Sequence, residues 1–245
     1  MIILFAPSEG KRSGGESASI KPLSFIFTEL YEKRLEVISK YEKAVQAGSY
    51  DDLKELFGIK DEKEFARYKI PFDCAPTMKA IERYDGVAYD YLSYGDLDAS
   101  QQAYIDHNVI LFSNLFGPIQ ACDCIPEYKL KQGSMIDSMA PEKFYKKYFT
   151  DSLNAYIGNQ EVLDLRAGFY DKFYTPKNTA MTLKFLKEGK VVSHWAKAYR
   201  GLVLRAIAQN NILSFEDFKR LNIDGLTLSE MIKTEKKNEI IYTIG

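Results

Sequence analysis

Short β-branched and aromatic runs alternate with stretches of helical periodicity from one end of this chain to the other, and this interleaving limits the fold more than any other feature. Residues 2 to 6, IILFA, form the first such run and stop at Pro7, so they read as a buried strand feeding the loop SEGKRSGGESAS. From Pro22 to about Ala47, Phe25, Leu30, Leu35, Ile38, Tyr41 and Val45 recur at helical intervals, which predicts a long amphipathic helix. Residues 50 to 69 carry two short helical patterns, DDLKELF and DEKEFARY, split by Gly58 and Ile59, and read as a helical hairpin. Thr77 is placed to cap a helix MKAIERY that stops at Asp85-Gly86, VAYDYL is strand-like or a short extended turn, and a helix follows at about 98 to 107. VILFSNLFG predicts a central strand running into a Gly-Pro turn, and EYKLKQGSMI has the period-two alternation of a second strand. PEKFYKKYFTDSLNAYIG reads as a helix and VLDLRAG as a short strand. TAMTLKFLKEGKVVSHWA reads as a hairpin around Glu188-Gly189, AKAYRGLVLRAIAQNN as an amphipathic helix and EIIYTIG as the last strand. Hairpin-like strand pairs exclude a purely parallel sheet, so the expected class is mixed α/β, or α+β. No linker or internal repeat divides the chain, and residues 1–245 are expected to form a single domain.

Composition narrows the function classes. At 46% hydrophobic and 27% charged the chain can bury a sizeable core, and no segment is polar enough to predict disorder. Its net charge of −1 excludes the globally basic surface of many DNA-binding modules, although the charge is dipolar: acids gather in SYDDLKELFGIKDEKEF, while later segments carry paired cations. Charged residues interrupt every apolar run before it reaches a membrane span, and MIILFAPSEG lacks the basic leader and length of a signal peptide. A cytoplasmic protein with no membrane association is expected. The three cysteines give no disulfide framework, and Cys122 and Cys124 are closer than a CxxC pair. With only two histidines to complete a shell, no metal site and no cofactor is predicted, and Cys74, Cys122 and Cys124 read as small core or near-surface residues.

Four segments place cations at strand or helix ends. In PSEGKRSGG, glycines free backbone amides to turn toward a ligand, Ser8 offers a hydroxyl, and Lys11 and Arg12 add charge, which is what a phosphate needs. The loop is neither a Walker A nor a GxGxxG sequence, which disfavours a nucleotide triphosphatase. In HWAKAYRGLVLRAIAQ, Tyr199, Leu202, Val203, Ala206 and Ile207 share a core-facing stripe. Lys197, Arg200 and the small Gly201 share another face near the helix start, suited to an anion that approaches closely. Lys129 and Lys131 alternate with Leu130 and so fall on one face of the predicted strand, and Arg166 and Lys172 bracket RAGFYDK after another strand. Their recurrence at element ends predicts one shared basic cleft. Asp85, Asp123 and Asp164 are weaker candidates for acid/base work or Mg²⁺, and His107 and His194 belong to no recognisable motif. No nucleophile is assigned, and no catalytic motif marks the chain as an enzyme. The turn Leu56-Phe57-Gly58-Ile59 would let helix amides reach a DNA phosphate, but Asp61, Glu62 and Glu64 crowd it with negative charge.

Taken in order, PSEGK, YDGVAY, SNLFGPIQACDCIPEYKLKQG, LDLRAGFYDKF and HWAKAYRGLVLR resemble the YaaA family of peroxide stress proteins, most characteristically in FGPIxxxDxIPEYKLKxG. The resemblance implies a cytoplasmic bacterial protein that limits oxidative damage by lowering available intracellular iron under hydrogen peroxide. It also implies an unusual mixed α/β topology, a helix-hairpin-helix element at Leu53 through Tyr68, and a basic cleft that binds DNA without strong sequence specificity. The cleft cations it implies are Lys11, Lys129, Lys131, Arg166, Lys172, Lys197 and Arg200. The alternative reading is an enzyme acting on a small phosphorylated or nucleotide substrate in the same cleft. An enclosed site around Lys11 and Arg200 would favour that alternative and a long open groove nucleic acid. Direct iron storage is disfavoured, since neither a Glu-x-x-His pair nor a Cys/His cluster occurs.

Overall fold

An uninterrupted apolar run needs cover on both faces, and β1 (Ile2–Phe5) has it: all four residues are buried in the computed structural model, which describes residues 1–192, 195–234 and 238–245. The loop beyond Pro7 is partly ordered by β2 (Gly10–Lys11). The long helix starts later than its periodicity suggests. Pro22–Ser24 and Thr28–Leu30 are 3-10 turns, Phe27 is left-handed at φ 62°, and α1 covers Tyr31–Ala47. Tertiary bonds hold the intervening segment out of the helix, because Asp123 accepts from the Ile26 amide and Arg34 donates to the Ile26 carbonyl.

Ser49 and Asp52 form a capping box at the start of α2 (Tyr50–Phe57), and Gly58 at φ 68° ends it. The second half of the predicted hairpin, Glu62–Lys69, is a 3-10 helix capped by Asp61, so the hairpin does not consist of two α-helices. Thr77 does not cap a helix: it is buried, its hydroxyl donates to Ala18 O at 2.7 Å, and it opens β3 (Thr77–Lys79). Only one turn of the predicted MKAIERY helix forms, α3 (Ala80–Arg83), before β4 (Tyr84–Asp85) pairs with β2. VAYDYL is helical, not extended, and forms α4 (Val87–Leu92) after Gly86. Then come α5 (Ala99–Asn108), capped by Asp98, β5 (Val109–Ser113) and the antiparallel β6 (Gly117–Gln120). EYKLKQGSMI is not a strand. The chain forms β7 (Cys124–Pro126) against β3 and then an irregular segment in which Tyr128 and Leu130 are buried with no ladder partner. The alternation was a burial signal without a sheet beneath it.

The remaining elements follow the predicted order: α6 (Pro141–Ile157), β8 (Val162–Asp164), β9 (Met181–Lys187), β10 (Lys190–Val191) and α7 (Ala196–Gln209). Glu188 and Gly189, both at positive φ, make the turn between β9 and β10. Ser193 and His194, at the end of that predicted hairpin, lie outside the described residues. After α8 (Phe215–Arg220), β11 (Leu226–Lys233) was not foreseen, and β12 (Asn238–Ile244) was. The main sheet runs β11-β12-β9-β8-β1-β5-β6, with β10 on β9. Strands β12, β9, β8, β1 and β5 are mutually parallel, while β11, β10 and β6 are antiparallel additions. The fold is therefore mixed α/β, and one continuous hydrophobic cluster from Met1 to Ile244 makes it a single compact domain.

Helix α7 packs on two sides. Tyr199 stacks on Phe185 of β9 with ring centroids 5.5 Å apart, while Gly201, Val203, Leu204, Ile207 and Ala208 are buried. Gly201 is thus not open to a ligand. A Cβ there would lie 1.9 Å from Ala88 O and 3.1 Å from Leu92 N, so the glycine admits the backbone of α4. Gly201→Ala is expected to force the two helices apart and lower stability by more than about 2 kcal/mol, as overpacked interiors do. Urea unfolding of the pair of proteins measures it, and equal midpoints would contradict the contact.

Candidate functional site

Parallel strands β1 and β8 end side by side, and the segments leaving them open a cavity of about 600 Å³ where ligands of α/β sheets commonly bind. Ala6, Ser8, Glu9 and Gly86 line one side, and Lys197 and Arg200 reach it from the first turns of α7. Three local features set this wall. The Tyr89 hydroxyl donates to Ala6 O at 2.9 Å, the Gly10 amide donates to Ser8 Oγ at 3.3 Å, and Gly86, at φ 139°, lets Ser8 Oγ come where a Cβ would sit only 2.7 Å away. The close contact of Gly201 with α4 holds α7 in place across the opening.

Lys11 sits beside this wall. Its Nζ donates to Ser8 O at 3.2 Å and Glu9 O at 3.3 Å and lies over the Tyr128 ring, 4.2 Å from the centroid, with Tyr84 at 5.3 Å. Lys129 Nζ donates to the same Glu9 carbonyl at 3.4 Å. Although part of Lys11 is exposed, its head group is ringed by protein, and burial pushes its pKa down to about 7. Repulsion by Lys129 and Arg83 adds to this, and Glu9 and Glu127 oppose it. Beneath the two rings runs a hydroxyl chain, Tyr84 to Tyr128 to Ser113, with 2.8 Å at each link. Burial raises both phenols, Tyr128 to about 12, so the chain stays protonated at neutral pH. Burial also lowers the Arg200 guanidinium, with Asp164 acting the other way.

The structure brings Ser8, Lys11, Lys129, Lys197 and Arg200 to one region and places the other predicted residues elsewhere. Arg166 faces inward with 1% of its side chain exposed; its Nε and Nη2 meet Asp164 at 2.9 and 2.7 Å, and Nη1 donates to Tyr170 O and Tyr174 O. Its hydrogen bonds are taken up by structure, and so is Asp164. Arg12 is exposed and lines a different cavity with Tyr94, Cys122 and Cys124. Lys172 lies over the Phe169 ring on the outside of a 3-10 turn. The Lys131 stem covers the hairpin turn, its Cδ 2.9 Å from where a Cβ on Gly58 would be, and the Gly58 amide already donates to Lys54 O. The turn has little left to offer a phosphate. Asp123 accepts from the Ile26 and Gln120 amides, burial raising its pKa to about 6, and His107 Nδ1 is bonded to Ala103 O. Among the described residues no group of three His, Cys, Asp or Glu side chains could hold a metal ion.

Sequence reading missed Arg83, which organises the whole region. Its guanidinium is buried and donates to Ile125 O, Arg12 O, Gly14 O and Pro76 O at 3.3, 2.5, 2.8 and 3.4 Å. A lone arginine inside a short helical pattern carries no signal of this role. Nor does the sequence single out Tyr84 and Tyr128.

A family model described as "Peroxide stress protein YaaA" matches residues 1–232. An uncharacterized protein of Campylobacter jejuni is 47% identical over 244 residues, covering 100% of this chain and 99% of its own. A UPF0246 protein of Corynebacterium glutamicum is 32% identical over 219 residues, 85% of each chain, and one of Fusobacterium nucleatum is 24% identical over 244 residues, 96% of each.

The depressed Lys11 makes a definite pH prediction. Below about pH 7 the folded protein carries a charge that its surroundings disfavour; between there and the ordinary value of 10.5 the folded state sheds that proton while the unfolded chain keeps it. Stability should therefore rise with pH across that window. The difference between the protein and Lys11→Met, from denaturant titrations at pH 6 to 10, isolates this group, and a flat difference would contradict the burial of the amine.

Proposed function

Since the chain belongs to the YaaA family of peroxide stress proteins, we propose that it acts in the cytoplasm during peroxide stress as a DNA-binding protein that helps limit free intracellular iron. The observation that carries the DNA reading is that lysines and an arginine from three distant segments lie in or against the wall of one cavity. Lys11 and Lys129 share the Glu9 carbonyl, and Lys197 and Arg200 line the adjoining cavity. A chain of net charge −1 that gathers ammonium and guanidinium groups in this way has a local phosphate site without a globally basic surface. Contacts of this kind hold backbone phosphates and carry little sequence information. The iron-limiting role is supported by the family resemblance alone.

The size of the cavity favours a second reading, a small phosphorylated or nucleotide ligand, since about 600 Å³ suits one such molecule better than a duplex groove. Both readings set a phosphate against the same cations. In a mobility-shift assay, affinity for duplex DNA should fall steeply between low and physiological salt, and Lys197→Ala with Arg200→Ala should weaken binding and reduce the salt slope by about 2, one per lost contact. Salt-independent binding, or no effect of the double substitution, would overturn the DNA reading. A nucleoside monophosphate that binds in calorimetry with no DNA affinity would establish the second.

A further inference from the structure

Lys11 differs from the other cations of the cleft in what surrounds it. Among the described residues no carboxylate lies within ion-pair distance of its Nζ; it has two backbone carbonyls, two tyrosine faces and a neighbouring lysine. The charged groups that act on it are Lys129 and Arg83, which disfavour its proton, and Glu9 and Glu127, which favour it. An amine so placed spends much of its time neutral near pH 7, when an ordinary surface lysine is almost entirely protonated. Lys129, on the same Glu9 carbonyl, and Lys197 and Arg200 of the adjoining cavity give an anionic ligand a reason to dock beside it.

We propose that Lys11 is a nucleophile that captures, as an imine, the carbonyl carbon of an open-chain aldehyde bearing a phosphate ester, with the phosphate held by Lys129, Lys197 and Arg200. This rests on the phosphate-binding reading of the cleft. The two sources of such a group are a DNA strand with a baseless, ring-opened sugar and a free sugar phosphate. The lone pair of neutral Nζ forms the C–N bond while the carbonyl π pair moves to oxygen, which takes a proton. The carbinolamine then takes a second proton at that oxygen and loses water, leaving a cationic iminium. Counting the proton that nitrogen gives up, the balance is amine, aldehyde and one proton to iminium and water, with nothing oxidised or reduced. The Tyr128 face, 4.2 Å away, stabilises the iminium as it does the ammonium.

Trapping tests this on the full chain. The protein is incubated at pH 7 with a duplex carrying one abasic site, or separately with ribose 5-phosphate, and sodium cyanoborohydride reduces any iminium to a stable secondary amine. Peptide mapping should place the adduct on Lys11 at least about ten-fold above any other lysine, given its larger neutral fraction. Glyceraldehyde, which lacks the phosphate, should label lysines without that preference. Lys11→Arg, checked for folding by circular dichroism, should lose the adduct, and if it fails to fold the map of the unsubstituted protein decides. Adduct in the abasic arm alone assigns the strand; adduct with ribose 5-phosphate, in a protein that does not bind DNA, keeps the imine and removes the DNA reading. Label spread evenly over lysines while salt-sensitive DNA binding persists would overturn the imine alone. No label and no binding of either ligand would overturn both.

Discussion

The arrangement depends first on a buried guanidinium that has carbonyls for partners where a carboxylate might be expected. Arg83 collects the chain leaving β1, through Arg12 O and Gly14 O, and the ends of two other segments, through Pro76 O and Ile125 O. Removing such a charge from water is unfavourable unless nearly all its donors are met, so its position and theirs are fixed together. Arg34, also buried, likewise donates to carbonyls, those of Ile26, Phe116 and Pro118. These two side chains give irregular backbone the partners that a sheet ladder would otherwise supply.

With that strap fixed, the cleft follows from topology. Parallel β8, β1 and β5 release their chains at the same edge, and the side chains that follow inherit a common direction. The amine of Lys11 then lies over a hydroxyl chain rooted in β5 at Ser113, so the chemistry of the opening is tied to the centre of the sheet. The cations have no common origin in the sequence: Lys11 comes after β1, Lys129 after β7, and Lys197 and Arg200 stand at the start of α7.

Much of this was legible beforehand. A glycine-rich, lysine-bearing segment after a buried strand is a local signal, and Ser8 and Lys11 follow from it. Lys197 and Arg200 fall together at the start of α7 because helical phase depends on few residues. The failures share a cause, which is that a side chain's destination lies outside its own segment. Arg166 looked like a free cation, yet Asp164 two residues earlier holds it. Tyr128 and Leu130 alternate like a strand because they are buried, and burial did not require a ladder. VAYDYL resembled an extended run, but Gly86 redirects the chain into a helix that must fit against Gly201. The first arm of the hairpin is capped by Ser49 and ends at Gly58, while its second arm tightened to a 3-10 helix.

The contact between Gly201 and Ala88 is one of main chain against main chain, and this gives the opening a fixed gauge. Side chains along the rim can change polarity or reach, but the spacing of its walls has no rotamer to adjust. A wider aperture would require α7 to shift as a rigid rod, so selection among guests by girth would come in coarse steps, and finer discrimination would fall to charge.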